Sequence, residues 1–444
     1  MGTESAGTQE RRDVALRCYR AAVAAADPAA AVRVHLQREG EMLLAGDTRY
    51  DLAHFRRVLV VGAGKAGVPM ATELERILGD RLDAGLVIVK EGHGGPLRHV
   101  QVREAAHPVP DAAGVAATRD LLALVATAGP EDLLICLLSG GGSALLVAPA
   151  APLTLVDKQA LTSALLRAGC TINEINAVRK HCSAVKGGQL ARAANGATFI
   201  TLLLSDVIGD AVDVIASGPT VPDASTFAEA LAVIERYGLS EQIPPPVLER
   251  LRAGRRGEIG ETPKAGDPCF ARARAHVIAG LEQACLAAQR AAEQEGYVTL
   301  RYSTTMQGEA RDVAALLLAE ARRAAQRYSR PFCLLAGGET TVTVRGDGTG
   351  GRNQELALAA ALLLEGQADI SLAALATDGG DGPTDAAGAI VDGDTVRRAA
   401  AQGLQARAAL ERNDAYPLLD AAGALIRTGP SGTNVNDLFL VLVS

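Results

Sequence analysis

Tryptophan is absent from this chain, and all aromatics together make up only 3% of its 444 residues. Recognition of nucleic-acid bases by aromatic stacking is therefore poorly supplied. A strong basic excess is also missing: 44 Lys and Arg face 51 Asp and Glu, a net charge of −7, so the electrostatic footprint of a nucleic-acid binder is not there. The seven cysteines are odd in number and scattered without a C-x-x-C pair, which argues against a disulfide framework or a zinc site and for reduced thiols. Long hydrophobic runs are lacking too. The longest clean one, Leu356 to Leu364, is about half of the ~20 residues a membrane helix needs. The first twenty residues are polar, with no secretory pattern, and Ala6 stands where a myristoylation signal takes Ser or Thr. A cytoplasmic protein is expected.

What is present is apolar aliphatic mass. Hydrophobic residues reach 48%, enough for a globular chain whose core is built from Leu, Val and Ala. Residues 9–45 read as two alanine-rich helices broken near Asp27-Pro28. Strand-like runs at 57–61, 85–89, 132–138 and 197–204 then alternate with helical stretches at 66–79, 113–127, 156–169 and 176–194. This alternation predicts an α/β domain, a parallel sheet with helices on both faces, over residues 1–240. The pattern lapses at 241–268, which holds Pro244-Pro245-Pro246 and several glycines and reads as a linker. A second, mixed α/β domain is expected over 269–444. Its elements are strand 275–279, helix 281–295, strand 297–302, helix 308–327, a hairpin of strands 332–336 and 340–345, helix 353–365, strand 371–376, helix 394–402 and a last strand at 437–443.

Three glycine-rich loops stand at strand ends. Gly62-Ala63-Gly64-Lys65-Ala66-Gly67 fits the G-x-G-x-x-G spacing that opens a helix onto an anion, but Lys65 sits inside the turn, where a dinucleotide needs no cation. The G-x-x-x-x-G-K-[ST] phosphate loop is absent. Taken alone, this loop is an anion site or merely a tight strand–helix turn. Ser139-Gly140-Gly141-Gly142-Ser143 is the second, an anion nest with flanking hydroxyls or a flexible hinge. The third runs from Arg345 to Glu355 and puts Arg352 and Asn353 at a helix start, where a guanidinium can fork carboxylate or phosphate oxygens. Together the three describe a polyanion site.

Carboxylates supply the complementary charge. Asp206 follows a buried strand, where a Mg²⁺ ligand, a general base or a turn cap is expected. Asp378, Asp381 and Asp385 fall within eight residues, close enough to repel unless a cation or hydrogen bonds offset them. Glu339 is a further candidate at a strand edge. His93 and His107 lie in loops and form no metal set. Arg179 and Lys186 are seven apart, so a continuous helix would put them on one face, either solvated or functional.

These motifs resemble the class II glycerate 2-kinases. The matching segments are VVGAGKAG (60–67), HPVPD (107–111), LSGGGSALL (138–146), INAVRKHCSAVKGGQLA (175–191), SDVIGD (205–210), ASGPTVPD (216–223), GGETTV (337–342), GTGGRNQELAL (348–358) and ATDGGDGPTDAAGA (376–389). They run through nearly the whole chain in one order. One departure is Ala106, where the family often has Gly before the His of HPVPD. The resemblance implies a Rossmann-like N-terminal domain, a C-terminal domain containing the MOFRL domain at about 330–440, and an active site in the cleft between them. It implies transfer of the ATP γ-phosphate to the 2-hydroxyl of D-glycerate, with ATP and Mg²⁺ as cofactors. Lys65 and Arg352 resemble the family's important cationic residues, and Asp206 is the expected metal ligand or base. Gly64, Ser139 to Ser143, Glu339 and Asn353 would bind substrate or phosphate, and Asp206, Asp378 and Asp381 would hold the metal. Family members are also labelled hydroxypyruvate reductase, so NAD(P)-dependent reduction is the alternative. The expected partners are these small molecules, with neither nucleic acid nor membrane; self-association is left open.

Overall fold

Each of the two strand-rich regions of the sequence builds its own compact unit in the computed structural model, which describes residues 6–444. One unit comprises Pro28–Ser205 and Asp210–Ile278. The other comprises the segment ending at Asp27, Asp206–Gly209 and Ala279–Ser444. Residues 1–5, which carry most of the segment read for a myristoylation signal, lie outside the described residues.

The first unit opens with a short antiparallel meander of β1 (Leu36–Glu39), β2 (Met42–Ala45) and β3 (Thr48–Asp51). Its main sheet uses β4 (Arg57–Ala63), β5 (Ala84–Lys90), β6 (Val100–Ala105), β7 (Asp132–Leu138), β8 (Thr198–Leu204) and β9 (Ala273–Ala279), in the order β6-β5-β4-β7-β8-β9. The pairings from β6 through β8 are all parallel. β7 and β8 are buried at every residue, as near-continuous apolar runs require when helices cover both faces of a sheet. Helix Gly67–Leu78 turns Met70, Ala71, Leu74 and Leu78 inward at helical spacing. Counted from β4, the strand order is 3-2-1-4-5-6, the dinucleotide-fold arrangement that reverses direction between β4 and β7.

The second unit holds β10 (Val298–Glu309), β11 (Phe332–Thr341), β12 (Ile370–Ala376), β13 (Gly388–Asp392), β14 (Leu425–Ile426) and β15 (Asp437–Val443), in the order β10-β11-β15-β12-β13-β14. Only β10–β11 is parallel; the other pairings are antiparallel. Helix Arg352–Leu364 is buried without a break from Asn353 to Ala361, so it is a central element rather than a surface one. No helix among the described residues is long and apolar enough to cross a membrane.

Several expectations change. The second N-terminal helix stops at His35, because Gly40 and Gly46, at φ +60° and +57°, turn the following residues into the β1–β3 meander. The helix expected at 176–194 is two helices, Ile172–His181 and Gln189–Ala193. Gly187 and Gly188 at φ +55° and +80° break it. The hairpin expected at 332–345 is the single strand β11; Gly337 and Gly338 make room for Leu281 and Met306 rather than a turn. The expected linker at 241–268 contains helix Pro245–Arg255, with prolines in its first turn where no N–H is needed, packed on helix Phe227–Arg236. β9 beyond it pairs in the first sheet, and helix Ala6–Ala25 packs on Leu281–Gln294 in the second unit. The compact units are thus cut near residues 27 and 279, not at 241–268.

Candidate functional site

In the first unit the reversal of strand order places two of the glycine loops side by side. β4 runs into Gly64-Lys65 and β7 into Ser139-Gly140-Gly141, with Ala63 and Leu138 paired at the strand ends. Ligands of open α/β sheets gather at such a point. The loops are bonded together: Lys65 N donates to Gly140 O at 2.9 Å, Ser139 N to Ala63 O at 3.2 Å, and Ala66 N to Ser139 Oγ at 3.1 Å. Gly64, at φ +143°, has no room for a Cβ, which would collide with Ser139 Oγ. Gly141 sits at φ +83°, and a Cβ there would lie 3.0 Å from the His107 ring and 3.5 Å from Lys65 Cγ. Lys65 and His107 therefore flank the second loop. His93 joins them through Nδ1, 3.2 Å from Lys65 O.

The charges here are one-sided. The Lys65 ammonium makes no hydrogen bond or ion pair among the described residues. Burial, then Lys65, Lys90 and His93, hold the His107 pKa below its ordinary value, so the ring is neutral near pH 7. Ser143 lies at the far end of the loop, its Oγ 2.6 Å from Ser217 Oγ. An ammonium, backbone N–H groups and hydroxyls around a glycine nest form an anion site.

The second unit collects the carboxylates. Arg352 grips Asp437 through Nε and Nη2, at 2.6 and 3.1 Å, and Glu339 through Nη1 at 2.7 Å. Asn436 Nδ2 donates to the other Glu339 oxygen at 3.2 Å and to the Asp206 carbonyl at 3.0 Å. Burial pushes the Asp437 carboxyl up to about 6, against the pull of Arg352. Asp437 and Asn436 escaped the sequence reading; the run Asn434-Val435-Asn436-Asp437 before the last strand was the available signal.

The expected metal trio of Asp206, Asp378 and Asp381 does not form one: no group of three or more His, Cys, Asp or Glu among the described residues is placed to hold a metal. Asp381 instead caps the central helix, accepting from Asn353 N at 3.2 Å and Gln354 N at 2.9 Å. Asn353 turns its amide to Asp381 as well, at 3.4 Å. Asp378 is exposed. It and Glu339 line a cleft of about 630 Å³ walled by Thr340, Gly348, Gly350, Gly351 and Arg352. Thr340 Oγ1 in that wall is buried without a hydrogen-bond partner. Of the four acidic residues that line the cleft, Glu355 and Asp381 are buried and bonded to Arg311 and to the helix N–H groups, which leaves Glu339 and Asp378 to suit Mg²⁺ carried by phosphates, since Mg²⁺ takes one or two carboxylates and fills its shell with phosphate oxygens and water. Of the sequence candidates, the structure thus groups Gly64, Lys65 and Ser139 to Ser143 in one unit. Glu339, Arg352, Asn353, Asp378, Asp381 and the Asp206 carbonyl belong to the other.

Residues 14–252 match the family described as "Domain of unknown function (DUF4147)", and residues 332–437 match the MOFRL family. The chain is 43% identical to a D-glycerate 2-kinase of Thermotoga maritima over 87% of its own length and 91% of that protein's. It is 38% identical to a glycerate 2-kinase of Pyrococcus horikoshii, over 98% of this chain and 97% of the other. A crystal structure of a glycerate kinase from Thermotoga maritima superposes with a TM-score of 0.86 at 38% identity, covering 98% of this chain and 100% of that one.

Proposed function

The chain belongs to the glycerate 2-kinase family, and on that premise we propose that it transfers the γ-phosphate of ATP to the 2-hydroxyl of D-glycerate, giving 2-phospho-D-glycerate and ADP. The observation that carries this reading is the Lys65 ammonium, without a partner among the described residues, between two bonded glycine turns at the switch point of the parallel sheet. A dehydrogenase turn would carry no cation there and would want an acid at the end of the next strand, where the candidate here, Glu91, directly follows Lys90.

Phosphoryl transfer asks mainly for in-line positioning and charge neutralisation. The 2-hydroxyl oxygen forms a bond to the γ-phosphorus, the bond from that phosphorus to the ADP oxygen breaks, and the hydroxyl proton leaves. Lys65 is assigned to the charge on the transferring group, and the 139–143 nest to phosphate oxygens. Asp206 keeps its assignment as the group nearest in type to a base for the hydroxyl proton. Arg352 takes a changed role. Three of its five N–H donors are occupied by Asp437 and Glu339, so it fixes those carboxylates and offers only its remaining donors to a ligand. Mg²⁺, when bound, neutralises phosphate charge; Glu339 and Asp378 are the side chains that would hold it. Seven free thiols agree with a reducing, cytoplasmic setting.

The test is ADP release by the purified protein with ATP and Mg²⁺, with and without D-glycerate. Glycerate-dependent ADP release that falls on the order of 10²–10³-fold in kcat/KM for Lys65→Met supports the reading. Full activity in a folded Lys65→Met variant overturns the assignment of Lys65.

A further inference from the structure

The segment 175–191 carries three cations that the mechanism above does not use, Arg179, Lys180 and Lys186, and the structure sorts them together with Lys158. Lys180 is neutralised, with Nζ 3.3 Å from Asp213 and 3.2 Å from Asp223. Arg179 and Lys186 are not: among the described residues neither meets a carboxylate, and the same holds for the buried Lys158. Lys186 is wholly buried and directs its ammonium to Ser143 O at 2.8 Å, Ser143 Oγ at 3.4 Å and Ala216 O at 3.5 Å. Its three protons are thus all engaged under the glycine nest. Lys158 and Arg179 stand close enough to repel it, and burial with that repulsion holds its pKa well below the ordinary lysine value.

Arg179 lies one helical turn beyond Asn176, on the same helix face. Asn176 Oδ1 accepts from Ser217 Oγ at 3.1 Å, and Ser217 Oγ is 2.6 Å from Ser143 Oγ. Ala216, Ser217 and Gly218 are consecutive left-handed residues, at φ +51°, +61° and +58°. Two of them are not glycine, and such strain persists only where the surroundings hold it. Among the described residues the Arg179 guanidinium makes no hydrogen bond, which leaves five N–H donors to offer.

We infer that Arg179, with the Ser143 hydroxyl turned from Ser217 to the ligand, forms a second oxyanion subsite, distinct from Lys65; Ser217, whose own proton goes to Asn176 Oδ1, and Lys186 are positioning residues, Lys186 fixing the Ser143 and Ala216 segments and supplying positive field from below. The inference rests on the phosphotransfer reading for its natural ligand, an oxyanion that is either the carboxylate of the hydroxy acid or a phosphate of the nucleotide. Buried cations without counter-charges are costly, and a bound oxyanion offsets that cost.

The experiment uses Arg179→Gln, Arg179→Lys and Ser217→Ala in the full chain, checked by circular dichroism. Binding of inorganic sulfate is followed by calorimetry and by thermal shift, and KM is measured for D-glycerate and for ATP. Sulfate should stabilise the parent protein. Arg179→Gln should weaken sulfate binding on the order of tenfold or more, as loss of a forked charge-assisted contact does. Arg179→Lys should recover part of it, because the charge remains and the fork is lost. A rise in the D-glycerate KM alone assigns the carboxylate; a rise in the ATP KM alone assigns the phosphate. A parent protein without ATP turnover whose sulfate binding still depends on Arg179 keeps the subsite and removes the proposed reaction. Sulfate affinity and both KM values unchanged in folded Arg179→Gln overturn the inference, and should that variant not fold, the same result in Arg179→Lys and Ser217→Ala does so.

Discussion

Lys65 donates its main-chain N–H to the carbonyl of Gly140 at 2.9 Å, so the turns after β4 and β7 form one bonded unit. Gly64 makes this approach possible. Gly64→Ala should drive the added methyl into Ser139 and shift both turns, lowering kcat/KM by about 10²-fold, the scale of a misplacement near 1 Å. Gly129→Ala is the control: a Cβ there meets nothing within 4 Å and the backbone is not left-handed, so steady-state kinetics should not change. Equal kinetics for both variants would show that the junction of the turns is not catalytically sensitive.

The neighbourhood of Lys65 and His107 has its own observable. Burial first, and the Lys65 charge second, depress the imidazole pKa, favouring the neutral ring in the native state. Removing the ammonium in Lys65→Met should move the His107 midpoint upward, toward the ~6.5 of an ordinary histidine. Proton NMR of the ring resonances against pH reads this directly. An unmoved midpoint would mean that the two side chains are not electrostatic neighbours in solution.

Arg352 and Asp437 give a stability prediction with a defined sign. Arg352→Met leaves a fully buried carboxylate without its partner, a change that commonly costs about 3–5 kcal/mol. The folded pKa of Asp437, about 6, lies above the ~3.9 of an unfolded aspartate, so the native state binds more protons between those values. Its contribution to stability therefore decreases as pH rises through that window. Without Arg352 the carboxyl should rise further, and the penalty should be smaller at pH 5 than at pH 8. Denaturant unfolding at the two pH values checks this, and Asp437→Asn in the same background should remove the difference.

The parallel-sheet half was legible because its strands are unbroken apolar runs and its glycine loops sit where those runs stop. Asp132–Leu138 was read residue for residue. The β1–β3 meander was not, since four-residue strands are too short to show a period. Arg352 was picked out by its place at a helix start, but no local pattern shows that Asp437, 85 positions away, holds it. Asp381 looked like a metal ligand among close acids; its partners are the N–H groups of a helix beginning about thirty residues earlier. Lys186 looked equally at home on a solvated face. It is buried because the helix stops at His181 and the non-helical stretch that follows carries Lys186 to the Ser143 loop.

The central claim is the reaction itself, and phosphorus NMR of one mixture tests it most directly: the protein, ATP, Mg²⁺ and D-glycerate, with a parallel sample of NAD(P)H and hydroxypyruvate followed by absorbance. The account predicts that the γ-phosphate resonance declines while a phosphomonoester identified as 2-phosphoglycerate and ADP grow together, with NAD(P)H unchanged in the parallel sample. Oxidation of NAD(P)H by hydroxypyruvate, with the ATP resonances intact and no phosphomonoester formed, would contradict it.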